Sequence, residues 1–158
     1  MIGWLLAVAL ATPPEAPAAP SLAGVTWVSE GPVASAPLVA VELWATWCGA
    51  CRATFADLTA LQARHGDALR VVALSDESVA TVSRFWTSRP EQMVYAVATD
   101  PEGEVVRAFL FGGYGGRGIP STYLIAEGKV VWGGPPEELA AEVARRLEKG
   151  EGEEIRPR

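Results

Sequence analysis

Two hydrophobic patterns alternate along the chain from residue 25 onward. Short, nearly continuous apolar runs are typical of strands covered on both faces of a sheet, whereas apolar residues at every third or fourth position are typical of helices. The runs predict strands at Val25–Val28, Leu38–Trp44, Leu69–Leu74 and Met93–Ala98. The periodic segments predict helices at Cys51–His65, at a segment with Val79, Val82, Phe85 and Trp86 on its apolar face, and after a cap formed by Asp100 and Pro101.

The last third of the chain changes to a hairpin followed by a helix. Ser121–Ile125 and Lys129–Trp132 are strand-like runs joined by a tight turn at Glu127-Gly128. A final helix starts at Pro135–Glu138, with prolines first and acids in its first turn, and ends before Gly150. Alternating strands and helices predict parallel strands, and the hairpin adds antiparallel ones, so we expect an α/β fold with a mixed sheet between helices.

The N-terminus has a composition of its own. The apolar run Ile2–Ala11 is about half the ~20 residues of a membrane span, but its length and the Ala9–Ala11 site fit a signal peptide, although no Lys or Arg precedes it. A disordered or misassigned start is the alternative. We expect a signal peptide and Pro/Ala-rich linker over 1–20, one folded domain over 21–150 and a charged tail over 151–158. The protein is then exported, periplasmic or extracytoplasmic, with or without a membrane tether, and has no stable membrane span.

Charge and composition exclude some classes of function. Hydrophobic residues make up 49% of the 158 and charged residues 20%, which is typical of a globular domain rather than of a disordered chain. The net charge of −6 lacks the basic footprint of a nucleic-acid-binding protein, so we expect no nucleic-acid partner. With two cysteines and one histidine, the chain lacks the ligands of a zinc ribbon. We therefore expect no metal and no cofactor.

The two cysteines, Cys48 and Cys51, carry the candidate chemistry. A structural disulfide usually closes a long loop, and a four-residue loop gains little stability, so we expect a redox-active pair. The pair lies where a buried strand turns into a helix, and the unpaired N–H groups of a helix N-terminus stabilise a thiolate. Cys48, at that end, is the predicted attacking sulfur. Cys51, one turn along and shielded by packing, is predicted to resolve the mixed disulfide.

Two motifs carry a resemblance to a known family. Val41–Cys51 (VELWATWCGAC) resembles the active-site stretch of thioredoxin-fold proteins, and is most similar to the TlpA/ResA-like branch of exported thiol–disulfide oxidoreductases. Gly118–Ile125 resembles the cis-proline loop of that family and the strand after it. The resemblance covers about 25–147 and implies a thioredoxin-like mixed sheet flanked by helices, with the inserted strand and helix of the exported branch.

The resemblance also implies roles for single residues. Pro120 would be cis and lie against the cysteine pair, and the backbone of Ile119 would pair with an extended substrate segment. Trp47 would shield the disulfide and offer an apolar docking face. Glu42 matches the buried acid that exchanges a proton with Cys51, and desolvation in an apolar strand would raise its pKa as that role requires. The alternative is that Glu42 faces a water-filled edge and has no catalytic part.

Several functions remain open at this point. The leading hypothesis is a monomeric enzyme that reduces protein disulfides by dithiol exchange, with an upstream thiol as electron donor. Gly49-Ala50 lacks the His that oxidants of the family carry, and Ile119 is what reductants of the family tend to have, which favours reduction. The alternatives are an oxidase or isomerase of protein disulfides, and a non-enzymatic binding or metal-delivery module. A peroxiredoxin is disfavoured, because Val41 and Ala45 stand where its reactive-cysteine motif needs Pro and Thr or Ser.

The glycine-rich loop Gly112–Gly118 is either an adaptable lip of the substrate groove or a plain flexible connection.

Overall fold

A computed structural model describes residues 15–150, in which six strands and four α-helices follow one another. The predicted signal peptide Ile2–Ala11 and the charged tail 151–158 lie outside the described residues. The strands are β1 Thr26–Ser29, β2 Leu38–Leu43, β3 Leu69–Ser75, β4 Ala96–Thr99, β5 Ser121–Ala126 and β6 Lys129–Gly134. The helices are α1 Gly49–His65, α2 Val79–Thr87, α3 Glu104–Phe111 and α4 Pro136–Glu148.

All six strands form one mixed sheet in the order β1-β4-β3-β2-β5-β6. The pairs β2–β3 and β3–β4 are parallel, and β1, β5 and β6 each join the sheet antiparallel to a neighbour. The strand β2, which leads into the cysteines, lies between β3 and β5 near the middle of the sheet. The predicted fold class, a mixed sheet flanked by helices, is confirmed.

Side chains of β2 alternate between two apolar clusters. Ala40 and Trp44, just beyond the strand, pack in the cluster that α1, α2 and α4 cover, whereas Val41 and Leu43 pack in the cluster that α3 covers. Because successive side chains of a strand point to opposite faces, Glu42 lies on the α1 side of the sheet. The nearly unbroken apolar run of this strand is thus explained by burial on both faces.

Three details of the predicted elements were wrong. The strand β4 begins at Ala96 rather than Met93, and Val79 is exposed rather than part of an apolar helix face. The helix α3 begins at Glu104, not directly after Asp100, because the N–H of Asp100 bonds the last residue of β3 and keeps it in the loop. Asp100 still caps α3 across that loop: its Oδ2 accepts the N–H groups of Val105 and Val106 at 2.7 and 2.9 Å.

The described part of the predicted linker contacts the edge strand β6. Ala18 forms a β-bridge with Lys129, and the N–H of Ala19 donates to the carbonyl of Gly128 at 2.8 Å. The N–H of Val130 donates to the carbonyl of Pro17 at 2.9 Å. Residues 17–19 are therefore hydrogen-bonded to the edge of the sheet. Within 15–150, no helix has the length and apolar character to cross a membrane.

Candidate active site

The two cysteines form a disulfide at the N-terminus of α1. Cys48 is the N-cap residue, with φ −82° and ψ 101°, and its Sγ accepts the N–H of Cys51 at 3.2 Å. The sulfur thus takes the position of the oxygen in a Ser or Asp cap. After reduction, this N–H and the dipole of a 17-residue helix would favour a negative charge on the same sulfur.

The two sulfur-bearing residues differ in their access to solvent. Cys48 is 6% exposed and Cys51 is fully buried, with its side chain inside the cluster beneath α1. Trp47, directly before Cys48, is 73% exposed, whereas Trp44 is buried and packs edge-on against Phe55 with ring centroids 5.4 Å apart. Of the two cysteines, a substrate approaching from solvent therefore meets Cys48 first.

The loop between β2 and α1 is held by a carboxylate from the next crossover. Both the N–H and the hydroxyl of Thr46 donate to the carboxylate of Glu77, each at 2.7 Å. The hydroxyl of Ser75, the last residue of β3, donates to the same carboxylate at 3.1 Å. These bonds tie the segment before Cys48 to the end of the parallel strand beside β2.

Glu42 is completely buried, so it does not face a water-filled edge. The hydroxyl of Thr54 lies 2.6 Å from Oε1 of Glu42 and 2.7 Å from the carbonyl oxygen of Cys51. Desolvation raises the pKa of Glu42 from 4.5 to about 8, against the smaller opposing effect of the Thr54 hydrogen bond. A carboxyl with this pKa can hold or release a proton near neutral pH.

Other polar groups surround this carboxyl inside the protein. Thr122 of β5 lies directly opposite Glu42 in the sheet register and is fully buried. Tyr95, also buried, has its pKa raised by desolvation and further by the charge of Glu42. The Oε2 of Glu42 and the hydroxyls of Thr122 and Tyr95 have no hydrogen-bond partner within residues 15–150. Glu42 therefore occupies a small polar region between β2 and α1 in an otherwise apolar core.

The Ile119–Pro120 peptide bond is cis. Ser121, the next residue, pairs with Leu43 at the end of β2 that leads to the cysteines. Ile119 is half-buried against the apolar cluster that includes Cys48 and Cys51. The structure thus brings the two sequence motifs, more than 60 residues apart in the chain, to the same end of the sheet.

The glycine-rich loop before this proline is largely exposed but contacts β6 and neighbouring aromatic rings. The Tyr114 ring lies edge-on to the rings of Phe109 and Tyr123, with centroids 6.4 and 6.1 Å away. A Cβ on Gly133 would come within 1.9 Å of the Tyr114 carbonyl oxygen, and one on Gly115, at φ +97°, within 2.6 Å of the Gly133 carbonyl oxygen. The glycines allow the loop to approach β6 closely, which a plain flexible connection would not require.

Sequence reasoning did not single out Thr46, Thr54 or Glu77. Thr54 had a usable signal, because it stands three residues after Cys51 and so shares its helix face. The contact of Thr46 with Glu77 spans 31 positions along the chain. Glu77 follows a strand, and many acids in that position face solvent. No local sequence pattern shows that this one binds a distant loop instead.

Comparison with known proteins agrees with this site. The Redoxin family model matches residues 30–145, which is most of the chain, and the chain belongs to that family. Thioredoxin of Listeria monocytogenes is 32% identical over 74 residues, covering 46% of this chain and 68% of the relative. The protein is a thioredoxin-fold thiol–disulfide oxidoreductase.

Solved structures support the same class. A thiol:disulfide interchange protein of the thioredoxin family from Chlorobium tepidum TLS superposes with a TM-score of 0.62 and 25% identity, over 86% of this chain and 99% of that one. A second protein from Chlorobium tepidum, described as a thiol:disulfide interchange protein DsbE, superposes with a TM-score of 0.56 and 27% identity, over 74% of this chain and 82% of that one. Peroxiredoxin Q of Xanthomonas campestris, at 19% identity, a TM-score of 0.57 and coverage of 74% and 81%, shares the fold alone.

Proposed function

We propose that this protein reduces disulfides in other proteins outside the cytoplasm, with Cys48 as the attacking cysteine and Cys51 as the resolving one. The observation that carries the proposal is the asymmetry of the pair at the start of α1. Cys48 accepts an N–H from the first helical turn and reaches solvent, whereas Cys51 is completely buried. These are the environments of a stabilised thiolate and of a protected second thiol.

The exchange proceeds in two displacements. The Cys48 thiolate of the reduced enzyme attacks one sulfur of a substrate disulfide, which forms a mixed disulfide and releases the first substrate thiolate. Cys51 then loses its proton and attacks Cys48 Sγ, which closes the Cys48–Cys51 bond and releases the second substrate thiolate. The substrate gains two electrons and the enzyme loses two. An upstream dithiol restores the reduced pair by the same exchange in reverse.

Glu42 is the proposed acceptor of the Cys51 proton. With its pKa raised to about 8, the Glu42 carboxyl can take up and release a proton near neutral pH, as this role requires. The Thr54 hydroxyl, between the carboxyl and the carbonyl of Cys51, supports the assignment by placing the two residues on opposite sides of one hydroxyl group.

Trp47, Ile119 and Pro120 form the proposed substrate-binding face. Trp47 presents an exposed indole beside Cys48, and indole rings are effective apolar anchors at protein interfaces. The backbone of Ile119 would pair with an extended segment of the substrate by strand addition. Pro120 has no N–H and cannot donate a hydrogen bond to the substrate backbone, so Ile119 is the residue proposed to pair with it.

The reducing direction and export rest on separate features of the sequence. Gly49-Ala50 brings no positive charge between the cysteines, which keeps the thiolate from the strong stabilisation found in oxidants. Export rests on the Ile2–Ala11 run and its small-residue site. Fractionation of expressing cells tests export: a processed protein outside the cytoplasm is expected, and an unprocessed chain in the cytosol would contradict it.

Reduction of insulin by dithiothreitol, followed by turbidity, tests the activity. We expect the wild-type protein to accelerate the reaction and Cys48→Ser to abolish the acceleration. Cys51→Ser should stop turnover; when this variant is reduced, freed of dithiothreitol and mixed with oxidised substrate, it should retain the substrate as a mixed disulfide on Cys48, visible by mass spectrometry. A non-enzymatic binding or metal-delivery module would show no acceleration, and that result would refute the proposal.

A further inference from the structure

The carboxylate of Glu77 is held against the loop that leads to the attacking cysteine. It accepts two hydrogen bonds of 2.7 Å from Thr46, which stands two residues before Cys48, and a third from Ser75. Hydrogen bonds to an ionised carboxylate are stronger than those between neutral groups, so these hold its position well. The half-buried setting of Glu77 limits the screening of its charge by solvent.

A fixed negative charge acts on the cysteine in one direction. Near Cys48 it disfavours the thiolate relative to the thiol. Two groups act in the opposite direction: the N–H of Cys51, and the guanidinium of Arg52, whose Nη2 would lie 3.8 Å from a Cβ placed on Gly49. A Cys48 thiolate is therefore subject to opposing influences: a carboxylate bonded to the loop before it, and positive groups in the first turn of the helix.

The stability of the Cys48 thiolate influences the redox equilibrium of the cysteine pair. In the thioredoxin fold, stabilising the thiolate of the attacking cysteine stabilises the reduced form and makes the protein a stronger oxidant. A group that destabilises the thiolate shifts the equilibrium toward the disulfide, and so makes the dithiol a stronger reductant.

We infer that Glu77 is a positioning residue that holds the loop before Cys48 through Thr46 and, by its charge, moves the cysteine pair toward the reducing end of the fold's range. The inference rests on the proposed function, since it supplies a reason for the reducing direction. Glu77 acts on the active-site loop through Thr46, and the reacting sulfurs remain those of Cys48 and Cys51.

The test compares Glu77→Gln with two matched variants. Glu77→Gln keeps the shape of the side chain and removes its charge. Asp76→Asn removes a charge from the exposed neighbouring position. Thr46→Val removes one hydrogen bond to Glu77 and leaves its charge in place. Iodoacetamide labelling of Cys48 in the reduced proteins at pH 7 reports the thiolate fraction, and a glutathione titration reports the redox midpoint.

We expect Glu77→Gln to label about two- to fourfold faster than wild type and to have a less negative midpoint, as removal of a nearby negative charge requires. Asp76→Asn and Thr46→Val should change the labelling less. Unchanged or slower labelling of Cys48 in Glu77→Gln would overturn the inference. An equal increase in labelling rate in Thr46→Val would also overturn it, because the conformation of the loop, and not the charge of Glu77, would then explain the faster labelling. Wild-type insulin reduction is measured alongside, so that failure of the proposed function itself is recognised separately.

Discussion

The hydroxyl of Thr54 lies between Oε1 of Glu42, at 2.6 Å, and the carbonyl oxygen of Cys51, at 2.7 Å. A hydroxyl has one proton, so it donates to one of these oxygens at a time. When Glu42 is ionised, Thr54 donates to the carboxylate. When Glu42 is protonated on Oε1, the carboxyl can donate to Thr54 and Thr54 to Cys51. The protonation state of Glu42 therefore changes whether the carbonyl oxygen of Cys51, the residue whose proton Glu42 is proposed to accept, receives a hydrogen bond from Thr54.

Thr54→Val should raise the pKa of Glu42 further. The variant keeps the shape of the side chain and removes the hydrogen bond that favours the ionised carboxyl, which is the effect that opposes desolvation. Titration of the carboxyl carbon of Glu42 by NMR measures this directly. Thr54→Ser should restore the wild-type value, and Thr59→Val, which removes another hydroxyl from α1, should leave it unchanged. A Glu42 titration identical in Thr54→Val and wild type would show that this hydrogen bond does not influence the carboxyl.

Glu42→Gln should slow disulfide exchange at pH 7 by about ten- to a hundredfold, because the amide fits the same site but cannot accept the Cys51 proton. Stopped-flow tryptophan fluorescence with a disulfide substrate measures the rate, and circular dichroism checks that the fold is intact. Glu137→Gln, an exposed position at the start of α4, is the control. Equal rates for Glu42→Gln and wild type between pH 6 and pH 9 would leave Glu42 with a structural part only.

The buried carboxyl should also make stability depend on pH. The pKa of Glu42 is raised from 4.5 to about 8, so between these values the folded protein holds a proton that the unfolded chain has released. The free energy of unfolding should therefore fall as pH rises through this window, by at most about 5 kcal/mol. Urea denaturation of the oxidised protein at pH 5, 7 and 9 measures the change. In Glu42→Gln, the free energy of unfolding should depend much less on pH. An equally steep decrease in that variant would show that a group other than Glu42 causes the pH dependence.

Differential alkylation distinguishes the two cysteines. In the reduced protein, Cys48 should react with iodoacetamide well below pH 8, whereas Cys51, completely buried, should react slowly. Peptide mass spectrometry after short labelling at several pH values identifies the modified residue. Faster labelling of Cys51 than of Cys48 below pH 7 would reverse the assignment of attacking and resolving sulfur.

The sequence predicted the sheet, its helices and the cysteine pair because each leaves a local pattern. The apolar run of β2 and the hairpin turn at Glu127-Gly128 were confirmed, since burial on two faces and a positive φ at both turn residues restrict the choice of amino acid. The start of α3 was misplaced because Asp100 caps the helix from five residues before Val105, with a short loop between them. Residue propensities do not show where such a loop ends and the helix begins. Glu77 was missed because its partner, Thr46, lies on another crossover, and only the folded sheet brings the two together.

The redox midpoint of the Cys48–Cys51 pair tests the central claim most directly. A glutathione titration followed by tryptophan fluorescence measures it, with Trp47 beside the pair and Trp44 in the core beneath it as reporters. Across the fold, midpoints extend from about −270 mV for thioredoxin through about −180 mV for protein disulfide isomerase to about −120 mV for DsbA. A protein that reduces disulfides should lie between the first two values. A midpoint less negative than about −180 mV would contradict the account and indicate an oxidase or isomerase instead.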